Sequence, residues 1–304
     1  MAGKFATEHF LNREIGILAF QERVLAQAED SDNPLLERLR FLGIVSGNLD
    51  EFFEVRVAGL KEQINAGSTA AGPDGVPAQP VFARVAEIAH QLAAKQYRLL
   101  NEQITPALTA EGVRFLRRAG WNEAQKECVR AFFLRELKPV LTPIGLYPSH
   151  PFPRVLNKSL NFAIELEGRD AFGRSSGGAI VQVPRVLSRV IRLPREISGA
   201  QYDFVGRSSI LHAHMGELFS GMGVIGCYPF RVTRNSDLFV DEEEVKNLRI
   251  ALQGGLPQRH FGNAVRLEVA DNCSPSMTGF LLEQFGLAQD DLYRADGPLN
   301  MGRL

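Results

Sequence analysis

Cysteine is sparse in this chain of 304 residues, with three, at positions 128, 227 and 273. They are far apart, odd in number and form no Cys-x-x-Cys pair, so neither a disulfide framework nor a zinc ribbon is implied. That usage fits reduced thiols in a cytoplasmic setting. No run approaches the roughly 18 apolar residues of a membrane helix, and the opening Met1-Ala2-Gly3-Lys4-Phe5 lacks the apolar core of a secretory signal. No Gly-x-x-x-x-Gly-Lys-Ser/Thr loop is present, which excludes a P-loop kinase at the level of motif, and Gly221-Met222-Gly223 is an isolated glycine cluster. A net charge of −1 argues against the dominant basic field of a dedicated nucleic-acid binder. Lysine is also scarce, with 7 against 27 arginines. Guanidinium forks suit phosphate, as in a polyanion, but genome base composition produces the same bias, so the excess decides nothing.

What is present is an ordinary globular composition, 45% hydrophobic and 23% charged, over a length that suggests two domains. Apolar residues recur at helical spacing from Glu14 to Ala28, and again after Asp32-Asn33-Pro34, where proline reads as the first helical position. A third helix is expected from about Leu49 to Ile64, an exposed loop from Ala66 to Pro80, and a fourth helix from Val81 to Ala107. Together these make an antiparallel helical domain over residues 1–107. From residue 108 to 304 the pattern is mixed. It has strand signals at Val113–Leu116, Ser159–Leu166, Gly178–Val183, Val186–Leu193, Tyr202–Val205, Gly223–Arg234 and Ala264–Val269. Helices are expected at Trp121–Leu137, with Asn122 as cap, and at Ser208–Phe219, Asp241–Gln253 and Ser276–Phe285. Five prolines between 139 and 153 demand extended or turned backbone there. The fold class is therefore α+β.

The segment Ser46-Gly47-Asn48-Leu49-Asp50-Glu51-Phe52-Phe53 carries the most chemistry. It reads as a helix start, with Asn48 as N-cap, Asp50 and Glu51 in the first turn, and a buried face of Phe52, Phe53, Val55, Val57 and Leu60. A carboxamide fixed at such a corner can donate and accept at once, as recognition of an adenine edge requires, or it can simply cap its helix. Other polar groups have structural readings. Thr233-Arg234-Asn235-Ser236-Asp237 contains groups able to bind phosphate oxygens, yet its residues are ordinary turn formers and Arg234 can pair with Asp237. The acidic run Asp241–Glu244 points four ways around a helix and suits a helix start better than a metal. The histidines are His9, His90, His150, His212, His214 and His260. A phosphoryl carrier needs an imidazole among cationic groups; His260 has Arg259 and Arg266 nearby in sequence, and His150 lies in the proline-rich segment.

The stretch from Glu14 to Lys61 resembles the amino-terminal domain of bacterial polyphosphate kinase of the first type, the ATP–polyphosphate phosphotransferase. Pro139–Leu166, Phe230–Leu248 and Arg259–Val269 resemble that family's head domain, in the family's order, so that the likeness covers nearly the whole chain. One departure is visible: Gly16-Ile17 stands where the family has a Ser-Trp pair. The resemblance implies that Asn48 contacts ATP, that the head domain contributes to a homo-oligomer, and that ATP and inorganic polyphosphate are the substrates. It further implies magnesium, with no ligands in this chain, and a phosphohistidine whose context no histidine here matches. Catalytic residues are accordingly expected in carboxy-terminal domains that this sequence does not contain. The chain alone is then expected to be inactive. The other expectation is a non-catalytic interaction module that pairs with itself or with a full-length kinase; no specific nucleic acid is expected.

Overall fold

The computed structural model describes residues 6–147, 149–169, 177–236 and 262–303. Its amino-terminal part is a set of packed helices. Helix α1 (Arg13–Glu29) is capped by Asn12, whose side-chain oxygen accepts from the Ile15 amide at 3.1 Å while its amide nitrogen donates to Asp74 at 2.8 Å. Helix α2 (Leu35–Glu51) follows, with Pro34 just outside its first residue and making no side-chain cap. The chain then passes without interruption through a π-helical stretch, Phe52–Val57, into α3 (Ala58–Asn65). Helix α4 (Ala78–Leu99) likewise continues through a π-helical stretch, Leu100–Ile104, into α5 (Thr105–Ala110). Leu18, Leu25, Leu42, Val45, Phe53, Val57, Val85, Ala89 and Leu92 meet in the core that these helices share.

The expected helix start at Asn48 is not there. Asn48 lies in the last turn of α2, three residues before its end. The apolar spacing Leu42, Val45, Leu49, Phe52 is continuous across it, and burying that stripe outweighs the roughly 1 kcal/mol cost of Gly47 in mid-helix. Asp50 and Glu51 therefore sit inside a continuous helical rod rather than in a first turn. The loop ends earlier than expected, at Pro77, because α4 starts at Ala78.

After Gly112 come β1 (Val113–Phe115), α6 (Glu123–Phe132), β2 (Pro143–Gly145), β3 (Asn161–Gly168), β4 (Gly178–Gln182), β5 (Val190–Arg192), β6 (Tyr202–Gly206), α7 (Arg207–His214), β7 (Met222–Arg234), β8 (Ala264–Ala270), α8 (Pro275–Phe285) and β9 (Leu292–Ala295). Asn122 caps α6 in a capping box with Gln125. Strands β1, β6 and β5 form a small sheet, in which β1 runs parallel to β6. Arg114 binds Asp203 through two 2.7 Å bonds across that pair. The other six strands form a sheet in the order β2-β4-β3-β7-β8-β9, antiparallel except for β8 beside β9. It is covered on both faces. Phe162 and Ile164 pack with Phe133, Leu137 and Leu211 on one side, while Ala163, Phe230, Val232 and Leu267 pack with Met277 and Leu281 of α8 on the other.

Two strands escape the alternation pattern. β2 lies within the proline-rich stretch, where Pro143 is tolerated as the first residue of an edge strand. β9 is four residues long, too short to show a period. The expected strand Val186–Leu193 shrinks to Val190–Arg192, and the helix expected over Ser208–Phe219 ends at His214. The helix expected at Asp241–Gln253 lies outside the described residues. Among the described residues no helix is long and apolar enough to cross a membrane.

Beyond β9 the chain turns back over the helices. Tyr293, Ala295, Leu299 and Met301 join the helical core, and Tyr97 donates to the Pro298 carbonyl at 3.2 Å. A Cβ on Gly43 would lie 3.4 Å from the Met301 carbonyl, and one on Gly302 would lie 3.3 Å from the Gly43 carbonyl. The two glycines let this strap run directly against α2.

Candidate functional site

At about 100° per residue, Asn48 and Asp50 point some 200° apart around the same helical turn. The turn thus has two distinct faces: one displays an amide, the other locks the helices to the sheet.

On the open face, the Asn48 side-chain nitrogen donates to Oε1 of Gln21 on α1 at 2.8 Å. Gln21 is only 4% exposed, so the bond holds a half-buried amide in one orientation. Asn48 Oδ1 makes no hydrogen bond to the described residues, leaving an acceptor and one remaining N–H beside it. Exposed Gly47 adds no side chain there. The arrangement can meet a donor–acceptor edge of a ligand. Asn48 stands at this face as a helix-interior residue, not as a cap.

On the opposite face, Asp50 is buried against the large sheet. Both Arg231 NH groups reach it at 2.8 Å, one to each carboxylate oxygen, and Arg266 contacts the same carboxylate. Arg231 and Glu268 are direct cross-strand partners in β7 and β8, as are Thr233 and Arg266. Glu268 pairs with both arginines, lying 3.2 Å from Arg266. Arg266 also donates to Thr233 Oγ1 at 3.1 Å, and its guanidinium lies 4.5 Å from the centre of the Phe53 ring. Phe53 in turn meets Tyr293 edge-on, and His90 stacks on Tyr293 at 4.0 Å. Burial opposes the Asp50 charge, but Arg231 and Arg266 outweigh it and hold the carboxyl below its ordinary range. Burial likewise opposes the charge of Arg231, and Glu268 and Asp50 more than offset it. Tyr97 and Tyr293 are pushed well up, chiefly by burial, and stay neutral phenols.

The lock continues along the helical rod. Glu54, one turn beyond Asp50, accepts from Asn157 and, at 2.8 Å, from the Lys158 ammonium. Lys158 adopts a left-handed φ of 55°, unusual for a residue with a side chain, and its amide donates to the Val232 carbonyl at 2.8 Å. Farther on, Asn235 donates to Glu62 at 2.6 Å and Lys61 pairs with Asp291 at 2.5 Å. The segments around Asn48, Asn157 and Arg231, which resembled one family separately, therefore meet at one junction.

The remaining candidates are dispersed. Arg234 donates to the carbonyls of Val155 and Gly262 and lies over Phe285, a clamp within the head; its expected partner Asp237 is outside the described residues. His150 is exposed and contacts Ser149. His260 and the acidic run Asp241–Glu244 lie outside the described residues. Among those described, no group of three or more His, Cys, Asp or Glu side chains could hold a metal. Sequence reasoning missed Glu54, Asn157, Lys158, Arg231, Arg266 and Glu268. The available signal was charge inside otherwise apolar strands, in Phe-Arg-Val-Thr-Arg and Ala-Val-Arg-Leu-Glu-Val.

Comparison with known proteins shows the family. The polyphosphate kinase N-terminal domain family model matches residues 10–116, and the polyphosphate kinase middle domain model matches residues 124–304. The chain is 57% identical over 294 residues to a polyphosphate kinase of Paraburkholderia phytofirmans, and 52% identical over 295 residues to one of Pseudomonas aeruginosa. Each alignment covers 97% of this chain but 43% of the relative, so the chain spans less than half the length of these relatives. A crystal structure of polyphosphate kinase from Porphyromonas gingivalis superposes with a TM-score of 0.78 at 24% identity, covering 97% of this chain and 40% of that one, which shows a common fold. With both family models matched in order, the chain belongs to the polyphosphate kinase family, as its N-terminal and middle domains.

Proposed function

We propose that this chain is the front part of an ATP:polyphosphate phosphotransferase, made of a helical unit to about residue 107 and a head from 108, and that it supplies one wall of the nucleotide pocket through Asn48. The supporting observation is the Asn48 amide, oriented by buried Gln21 with its acceptor oxygen open. Such an edge matches the amino group and adjacent ring nitrogen of adenine. The role of Asp50, Glu54 and their partners is to fix the rod that carries Asn48 against the head. A misplacement of about 1 Å in a positioning element can cost phosphoryl transfer heavily.

In this reading the head also contributes to contacts between copies of the protein. The phosphohistidine, and the ligands for the magnesium that phosphoryl transfer uses, are assigned to no residue of this chain. They belong to the part of the relatives that it does not span. The test is to compare purified protein ending at Leu304 with the full-length parent, each given ATP, magnesium and a polyphosphate primer. The full-length protein is expected to extend the polymer and the shorter one is expected to fold without doing so. Robust, metal-dependent synthesis by the shorter protein would overturn this division of labour.

A further inference from the structure

The π-helical stretch Phe52–Val57 turns the rod more slowly than the helix that leads into it. The Ala58 amide reaches back to the Phe53 carbonyl, one residue farther than the α-helical bond. At about 100° per residue up to Phe52 and about 80° per residue beyond it, Arg56 returns to within about 10° of Asn48 after two turns. An unbroken α-helix would leave it about 80° away. The same slow turn keeps Glu54 over Asp50, on the face where Glu54 meets Asn157 and Lys158. Stretches of this kind occur frequently at functional sites.

Along the open face the side chains follow an order. Ile44, one turn before Asn48, is apolar and 39% exposed. Asn48 then displays its amide, and Gly47 and Gly59 leave the backbone uncovered, since a Cβ on either would meet nothing within 4 Å. Arg56 lies eight residues beyond Asn48, on the order of 12 Å along the axis. That span is comparable to the distance from the base to the outer phosphates of an extended nucleoside triphosphate. Arg56 is half-buried and makes no hydrogen bond, ion pair or ring contact with any described residue. Of the acids in the adjoining turns, Glu54 is engaged on the opposite face, and Glu51 is exposed without pairing with Arg56. A half-buried guanidinium with no such counter-charge is a permanent cation whose fork is open, and phosphate oxygens can fill it bidentately.

We propose that Arg56 binds phosphate oxygens of the ATP whose base meets Asn48, so that one face of the rod reads the nucleotide from ring to phosphates. This rests on the reading of Asn48 given above and adds to it a second contact of different chemistry. Phosphoryl transfer depends on positioning and on charge stabilisation, and a cation at this distance from the base orients the phosphates as well as holding them.

The experiment uses the full-length parent enzyme and reads the Michaelis constants for ATP and for the polyphosphate primer, with adenosine as a competitor. Arg56→Gln removes the charge and keeps a good helix former, so the urea midpoint is expected to stay at the parent value. Its constant for ATP is expected to rise at least tenfold, the loss of a charge-assisted hydrogen bond, while inhibition by adenosine, which has no phosphate, stays within twofold. Arg56→Lys keeps the charge without the fork and is expected to fall between the parent and Arg56→Gln. Arg84→Gln removes an exposed charge that Glu87 already pairs on α4, and it is expected to leave both constants unchanged. An unchanged constant for ATP in folded Arg56→Gln overturns the proposal, as does an equal weakening of ATP and adenosine. A rise confined to the primer also overturns it, by placing the polymer at Arg56. The base contact is read separately, from adenosine inhibition of Asn48→Asp. If that inhibition matches the parent while Arg56→Gln still loses ATP, the phosphate contact is supported and the base contact falls.

Discussion

Arg231 grips Asp50 through two 2.8 Å hydrogen bonds across 181 residues of sequence, one to each carboxylate oxygen, in the buried seam between helices and sheet. Burying such a pair gains little over apolar packing, but removing one partner strands the other charges in a low dielectric. Asp50→Ala, which leaves two arginines facing Glu268 alone, is expected to lower the stability by about 3–5 kcal/mol in urea unfolding. The double variant Asp50→Leu/Arg231→Met is expected to cost less than the sum of its single changes. Strict additivity would remove the lock from the account.

Much of this seam was illegible in the sequence, and the reason is register. Helical period exposes Leu18, Leu25, Val85 and Leu92 as core positions, and period two does the same for Phe162 and Ile164. Nothing local says that the odd-numbered Arg231 and the even-numbered Arg266 and Glu268 face one helix turn. That follows only from the pairing of β7 with β8 and the path of α2 above them. Asn48 was visible as a candidate, but its helix context was misjudged. Gly47 reads locally as a break, although the apolar stripe of Leu42, Val45, Leu49 and Phe52 runs on through it. The proline-rich stretch hid β2 for a similar reason, since an edge strand needs only part of its ladder.

Acid should weaken the small sheet. Arg114 first, then the Gly199 amide, hold the Asp203 carboxyl down to about 2 from an ordinary 3.8, against the opposing effect of burial. A carboxyl with a depressed value contributes fully above its unfolded value and loses that contribution as pH falls through its folded one. The window is therefore from about pH 4 down to about pH 2, and the contribution at neutral pH is about 2 kcal/mol. Asp203→Asn should be less stable than the parent at neutral pH, with the gap closing below pH 3. A gap that stays constant with pH would contradict the assignment.

Lys158 separates backbone strain from charge. Its φ of 55° favours glycine, whereas its ammonium binds Glu54. Lys158→Gly and Lys158→Ala lose the same ion pair, yet the alanine variant retains the strain. Alanine should be the less stable by about 1 kcal/mol in denaturant unfolding. Equal stabilities would mean that the turn relaxes.

The strap makes opposite forecasts for two glycines. A Cβ at Gly47 meets nothing within 4 Å, so Gly47→Ala should raise the melting temperature, by roughly 0.5–1 kcal/mol of stability. At Gly302 the same methyl would press on the Gly43 carbonyl at 3.3 Å, and Gly302→Ala should lower it. Thermal unfolding of the two variants decides the point. A shift in the same direction for both would contradict the close approach.

The most direct measurement is the Michaelis constant for ATP of the full-length enzyme carrying Asn48→Asp. Gln21 can turn its own amide to donate to the new carboxylate, so the fold should keep its stability to within about 1 kcal/mol. The substitution nevertheless removes an N–H donor and sets a negative charge beside the base. Loss of one hydrogen bond of about 1 kcal/mol predicts a rise in the constant of roughly fivefold or more, with polymer synthesis still measurable at saturating ATP. An unchanged constant in a folded Asn48→Asp enzyme would contradict the nucleotide-wall reading and leave Asn48 a partner of Gln21 alone.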